Sequence, residues 1–140
     1  MRIAITGVTG FIGRALASAL LERGDTVFGL SRNPSSVPGI LPGVQPMPWP
    51  SGELPAVDAV VNLAGESVSG RWTPEKKRAI RDSRIVGTRA LVDAIQTAKV
   101  RPRVLVNASA VGFYGNRSEE TLVETSTAGT GFLPDVCRDW

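Results

Sequence analysis

Apolar positions change their spacing along this chain in a way that separates strands from helices. Arg2 to Thr6 is a short β-type run, and Gly7, Gly10 and Gly13 follow it. From Phe11 the apolar residues Ile12, Leu16, Ala19 and Leu20 recur at helical spacing. Gly24, after Arg23, is a natural stop for that helix. Thr26 to Leu30 reads as a second strand, so the start of the chain predicts strand, glycine turn, helix, strand: one βαβ unit.

Residues 33–56 break the pattern. They hold seven of the ten prolines, which excludes a long helix and leaves a loop with a short strand around Val44–Met47. Val57 to Leu63 is an almost wholly apolar run, as expected of a strand buried on both faces. Thr73-Pro74-Glu75 opens a helix with a capping hydroxyl, a proline at the first helical position and an acid in the first turn. Its apolar stripe, Ile80, Gly87, Leu91 and Ile95, runs to about Ala98, and Arg103 to Asn107 predicts another buried strand. Strands alternating with helices imply an α/β fold of Rossmann type, a doubly wound parallel sheet of about five strands with right-handed crossovers. Leu133, Val136, Cys137 and Trp140 then start an amphipathic helix, and the chain stops on that stripe. The expectation is that residues 1–140 are the N-terminal part of a longer protein.

Composition narrows the class. The chain has 140 residues, 42% hydrophobic and 21% charged, the balance of a soluble globular domain. The net charge is +3, but the cations are scattered and no run exceeds Lys76-Lys77-Arg78. A nucleic-acid footprint needs clustering on one face, so no nucleic-acid partner is expected. One cysteine and no histidine exclude an internal disulfide and leave almost no metal ligands, which suits a reducing compartment. No stretch is long and apolar enough to span a membrane. Three glycines interrupt the N-terminal apolar segment where a signal peptide would be continuous. A cytoplasmic location is expected, with no membrane partner.

The candidate chemistry begins in "ITGVTGFIG", with glycines at 7, 10 and 13 between a strand and a helix. Gly7 allows the tight turn, Gly10 lets the backbone approach a pyrophosphate, and Gly13 lets the helix pack on the sheet. The phosphates would sit at the helix N-terminus. A glycine pattern alone is weak; at the first strand–helix junction of a βαβ unit it predicts dinucleotide binding. An NAD site would place an acid at the end of the second strand, whereas this chain reads Leu30-Ser31-Arg32-Asn33. Arg32 could pair with a 2′-phosphate through a charge-assisted fork, so NADP(H) is favoured over NAD(H). The plain alternative is an exposed arginine at a strand end.

With GVTGFIG, SRN and "VVNLAGESV" at residues 60–68, the chain resembles the extended short-chain dehydrogenase/reductases, the NAD(P)-dependent epimerases and dehydratases. More narrowly, "NLAGESVSGRWTPEKKRAIRDSRIVGTRALVDAI", "SAVGFYG" and "GFLPDVCRDW" resemble an atypical, YfcH-like branch described as nucleoside-diphosphate-sugar epimerase-like. The resemblance covers the whole chain. It implies that Asn62, Leu63, Ala64 and Gly65 lie along the cofactor, and that Ser109 and Ala110 face the nicotinamide. Gly7, Thr9, Gly10, Phe11, Ile12, Gly13, Ser31 and Arg32 complete the expected cofactor set, with Ser109 contributing from the fifth strand. The resemblance also implies a smaller C-terminal substrate domain, absent here, and a possible homodimer in the full-length protein.

The departures concern catalysis. Extended enzymes use a Ser or Thr after the fifth strand and a later Tyr-x-x-x-Lys pair, whose lysine lowers the tyrosine pKa for proton exchange. Aligning on "YG" puts Ala110 at the Ser/Thr position beside Ser109. Tyr114 then matches a tyrosine that is not the acid/base. No tyrosine follows Tyr114 and no lysine follows Lys99; Leu133 and Cys137 occupy the expected Tyr and Lys positions. Arg84 falls near the asparagine that the family places in the fourth helix.

Ser109 and Tyr114 remain the candidate catalytic residues, against capping and packing roles. Arg71, Trp72 and Arg84 could grip an anionic substrate group, or form a surface cluster at a helix start. Glu124 reads as an exposed loop acid, and Cys137 as a small core hydrophobe. Two readings follow: an NADP(H)-dependent epimerase/dehydratase-like oxidoreductase on a sugar-nucleotide-like or other small carbonyl/hydroxyl substrate, or a catalytically silent NADP(H)-binding sensor or scaffold.

Overall fold

The computed structural model describes residues 1–50 and 53–140. Five strands, β1 (Arg2–Thr6), β2 (Thr26–Ser31), β3 (Gln45–Pro48), β4 (Ala59–Asn62) and β5 (Val104–Asn107), are accompanied by four helices. These are α1 (Phe11–Glu22), α2 (Val37–Ile40), α3 (Pro74–Thr97) and α4 (Phe132–Asp139), with 3-10 turns at Pro34–Ser36 and Val111–Tyr114. The strands form one wholly parallel sheet in the order β3-β2-β1-β4-β5. This is a Rossmann-like arrangement. The chain leaves β1 first toward β2 and β3, then returns to β4 on its other side, which creates a switch point at the carboxyl ends of β1 and β4.

Strand alternation sorts the core into two layers. Ile3, Ile5 and Val27 face Ala17 and Leu20 of α1, together with Val37, Leu41 and Val44. Ala4, Phe28, Leu30 and Val60 face the other way, toward Leu91 of α3, with Leu54 and Val57 beside them. β1 is central and buried from Ile3 to Thr6, as a parallel strand covered on both faces must be. The helix signals read from the sequence act as expected. Gly24 sits at φ +86° and closes α1, donating its N–H to the Leu21 carbonyl while Asp25 donates to Leu20. The Thr73 hydroxyl accepts from the Lys76 N–H at 3.2 Å and caps α3.

Three expectations need correction. Residues 33–56 were expected to hold only a loop and a short strand; they also contain α2 after the Pro34–Ser36 turn. Pro34 and Pro38 lie in the first turns of these short elements, where a missing N–H costs nothing, and fully buried Val37 anchors them. Residues 51–52 of that expected loop lie outside the described residues. The Val57–Leu63 strand shortens to β4, with Val60 and Asn62 buried but Ala59 and Val61 only partly so. The largest miss is β5. Its apolar run predicted a buried strand, yet Val104, Leu105 and Val106 are 50%, 38% and 52% exposed. Among the described residues β5 pairs only with β4 and forms the sheet edge, so an apolar sequence marks a surface that could be buried without supplying what covers it.

Candidate functional site

Gly7 follows β1 at φ +68°, a backbone region that side chains rarely adopt. A Cβ there would also lie 2.7 Å from the Leu63 carbonyl oxygen, so the two loops touch backbone to backbone. Gly13 is held by a second close approach, because a Cβ would lie 2.8 Å from the Val8 Cα. Gly10 differs from both. A Cβ on it would meet only the Gly7 carbonyl oxygen, at 3.1 Å, and it lines an open cleft. Gly10 also starts α1 without a side-chain cap, so among the described residues no side chain satisfies the first-turn N–H groups. These donors, with the helix dipole, suit an anion. Phe11 and Ile12 belong to that first turn, but their side chains are 92% and 63% exposed and neither lines the cleft.

The facing loop is fixed by a buried polar network. The Thr6 hydroxyl donates to Asn62 Oδ1 at 2.6 Å and accepts the N–H groups of Leu63 and Ala64, both at 3.1 Å. Asn62 Nδ2 donates to Thr88 Oγ1 on α3 and to Asn107 Oδ1 on β5. Trp140 Nε1 also donates to Thr88 Oγ1, tying the end of α4 to the same point. The Asn62 side chain is therefore used within the protein, and it shapes the loop from below. Thr6 was not among the expected site residues; a hydroxyl ending a buried parallel strand just before a glycine turn was the available signal.

Around this loop runs a cleft of about 560 Å³ at the β1/β4 switch point. It gathers Gly7, Thr9, Gly10, Ser31, Arg32, Leu63, Ala64 and Gly65 from the expected set. The α3 residues Ser83, Val86 and Gly87 form a wall that the sequence did not indicate, and Glu66 lines the cleft as well. The Glu66 N–H donates to Ser83 Oγ at 2.9 Å, and its carboxylate lies 2.6 Å from Lys76 Nζ. The hydrogen bond donated by Lys76 Nζ, the Lys76 charge and more distant Arg32 and Arg84 hold the Glu66 carboxyl below its ordinary range, against the effect of desolvation.

The remaining candidates lie elsewhere. Ser109 is exposed and does not line the cleft. The Tyr114 hydroxyl donates to the Val123 carbonyl at 3.2 Å, and its ring meets Phe113 edge to face at 5.2 Å. Arg71 is exposed, and Trp72 donates to the Val68 carbonyl and packs on Phe132 of α4 at 5.5 Å. Arg84 donates to the carbonyls of Glu66 and Ile80, and its guanidinium lies 5.2 Å from the Trp140 ring. It also backs onto Gly65, where a Cβ would lie 3.1 Å from Arg84 Cζ. Burial lowers the Arg84 pKa and raises that of the neighbouring Cys137 thiol, whose reactive thiolate is thereby disfavoured. Among the described residues no cluster of three His, Cys, Asp or Glu could hold a metal, and no helix is long and apolar enough to cross a membrane.

A Rossmann-like sheet with a glycine loop at its switch point defines a class of nucleotide-binding α/β proteins, and comparison with known proteins narrows it. The profile of the NAD dependent epimerase/dehydratase family matches residues 3–134, and the chain belongs to that family. It is 40% identical over 147 residues to the epimerase family protein YfhF of Bacillus subtilis, covering 100% of this chain and 48% of that one. The structure of human epimerase family protein SDR39U1 with NADPH superposes with a TM-score of 0.86 at 32% identity, over 100% of this chain and 47% of the human one. A nucleoside-diphosphate sugar epimerase from Corynebacterium glutamicum superposes at 0.75 with 36% identity, over 100% and 29%. The chain thus spans about half the length, or less, of these relatives.

Proposed function

We propose that the chain supplies the cofactor-binding part of an NADP(H)-dependent epimerase/dehydratase-like oxidoreductase. The observation that carries this reading is the cleft itself. The uncapped α1 N-terminus and the open side of Gly10 suit a pyrophosphate, and Arg32 stands where an NAD site would carry an acid. NADPH in the human neighbour supports the same cofactor. When bound, the nicotinamide would supply or accept a hydride; the chain's own residues bind and orient. The Gly7–Gly13 loop would take the pyrophosphate, Arg32 with Ser31 the 2′-phosphate, and the Leu63–Gly65 backbone the adenine-side ribose. The substrate would be sugar-nucleotide-like or another small carbonyl or hydroxyl compound, in line with the Corynebacterium relative. Titration of NADPH and NADH into the full-length protein tests this. The wild type should prefer NADPH and Arg32→Asp should lose that preference; an unchanged preference overturns the assignment.

A second reading is a catalytically silent NADP(H)-binding sensor or scaffold. It is favoured by Leu133 and Cys137 at the positions of the usual Tyr and Lys, and by the commitment of the Tyr114 hydroxyl to a backbone carbonyl. Hydride exchange between NADPH and a panel of carbonyl compounds in the full-length protein separates the two. Turnover supports the enzyme; tight cofactor binding without exchange supports the sensor.

A further inference from the structure

Two opposite charges, Arg32 and Glu66, line the same cleft. Arg32, at the end of β2, is exposed and takes part in no ion pair within 4 Å among the described residues. Glu66 lines the same cleft, and its backbone is pinned from both sides by Ser83 Oγ and Arg84 Nη1. Its carboxylate therefore cannot retreat far. A bare carboxylate here would repel a phosphate, and it would also compete for the Arg32 guanidinium, whose fork fits carboxylate and phosphate equally well. Lys76 removes both problems. Its ammonium lies 2.6 Å from Glu66 Oε1, and its own backbone is fixed by the Thr73 cap at the start of α3. The other carboxylate lining the cleft, Asp82, has only an exposed Arg81 at 3.9 Å.

We propose that Lys76 is a positioning residue for cofactor selection: by occupying the Glu66 carboxylate it keeps Arg32 available for the 2′-phosphate of NADP(H). This rests on the NADP(H) reading above. Lys76 touches no cofactor atom in this scheme and acts only through Glu66. Arg32 and Glu66 line one cleft, and the Arg32 charge adds to the lowering of the Glu66 carboxyl pKa behind the Lys76 hydrogen bond and charge, so the two groups lie within electrostatic reach of each other.

The test is titration of NADPH and NADH into the full-length protein and its variants at fixed salt. Lys76→Met should weaken NADPH about fivefold while NADH changes by less than about twofold, as expected for one uncompensated, partly exposed charge. Adding Glu66→Gln to Lys76→Met should restore NADPH affinity, and Lys76→Arg should keep it. A merely structural role for Lys76 would weaken both cofactors alike and lower the melting temperature, and the Gln substitution would not rescue it. That outcome overturns the proposal, as does Lys76→Met that leaves both affinities unchanged. Arg32→Asp run in parallel separates the causes. If Arg32→Asp abolishes the preference and Lys76→Met does not alter it, this inference alone fails; if Arg32→Asp is also inert, the NADP(H) reading fails with it.

Discussion

The two sides of the sheet differ in how completely this chain uses them. Around β1, β2 and β4, backbone meets backbone at Gly7 and Leu63, and a buried hydroxyl organises the facing loop. On the β5 side an apolar strand lies half exposed, and the loop after it carries Ser109 and Tyr114 outside the cleft. The first side is complete in its own contacts; the second presents apolar surface without a cover among the described residues. The cleft lies on the first side, and both catalytic candidates, Ser109 and Tyr114, lie on the second.

Substitutions at two glycines give the largest contrast. Gly7→Ala adds a Cβ 2.7 Å from the Leu63 oxygen at a positive φ, and strain plus overpacking should cost about 4 kcal/mol. Gly24→Ala shares the positive φ, at +86°, but meets nothing within 4 Å and should cost about 1 kcal/mol. Urea denaturation of both variants checks this. Equal losses would mean that backbone conformation, and not the close approach of the two loops, makes Gly7 necessary.

Thr6→Val keeps the shape of the side chain and removes its hydroxyl. Leu63 retains a second acceptor, the Thr6 carbonyl at 3.2 Å, but the Ala64 N–H and Asn62 Oδ1 lose their partner. Stranding the buried Asn62 oxygen and the half-buried Ala64 N–H should cost about 3 kcal/mol, and Thr6→Ser should recover most of it. If the stability loss instead stays within about 0.5 kcal/mol, water is replacing the hydroxyl and the loop is less tightly held than the network suggests.

What could be read in the sequence was local. α1 and α3 announced themselves through apolar spacing, the Gly24 stop and the Thr73-Pro74-Glu75 start, all set by contacts within a few residues. The glycine loop was legible because each glycine marks a backbone constraint at its own position. The polar network was not, since Thr6 reaches Asn62 across 56 residues and Ala64 across 58. Glu66 was missed for the same reason: its place in the cleft depends on Ser83, Lys76 and Arg84 on a later helix. α2 was hidden because prolines that break a helix interior are tolerated in its first turn. For β5 the apolar run marks the strand, but its burial depends on a covering element that no local pattern contains.

Valine-to-alanine substitutions sharpen the comparison between neighbouring strands. Val60 in β4 is fully buried, and Val60→Ala should cost about 2 kcal/mol through lost burial and a residual cavity. Val106 in β5 is 52% exposed, and Val106→Ala should change the stability of this 140-residue chain by less than about 0.5 kcal/mol. Thermal unfolding of the two variants decides. A comparable loss at Val106 would show that β5 is covered in solution, by another copy of the chain or by some other element.

The smallest expected effect is a pH dependence at Glu66 in the cleft. The Lys76 hydrogen bond holds the Glu66 carboxyl below its ordinary value near 4.5, with Arg32 and Arg84 adding to the shift. A carboxyl whose pKa is lower in the folded than in the unfolded chain contributes stability above the unfolded value, and loses it as pH falls through the folded one. Glu66→Gln lacks that contribution. The wild type should therefore be slightly more stable than Glu66→Gln at pH 6, and the difference should shrink as the pH is lowered toward 3. Because the pair is partly exposed, the difference should also shrink with added salt. Urea midpoints of both proteins across this range measure it, and a gap that stays constant with pH would mean that Glu66 acts through packing and not through its charge.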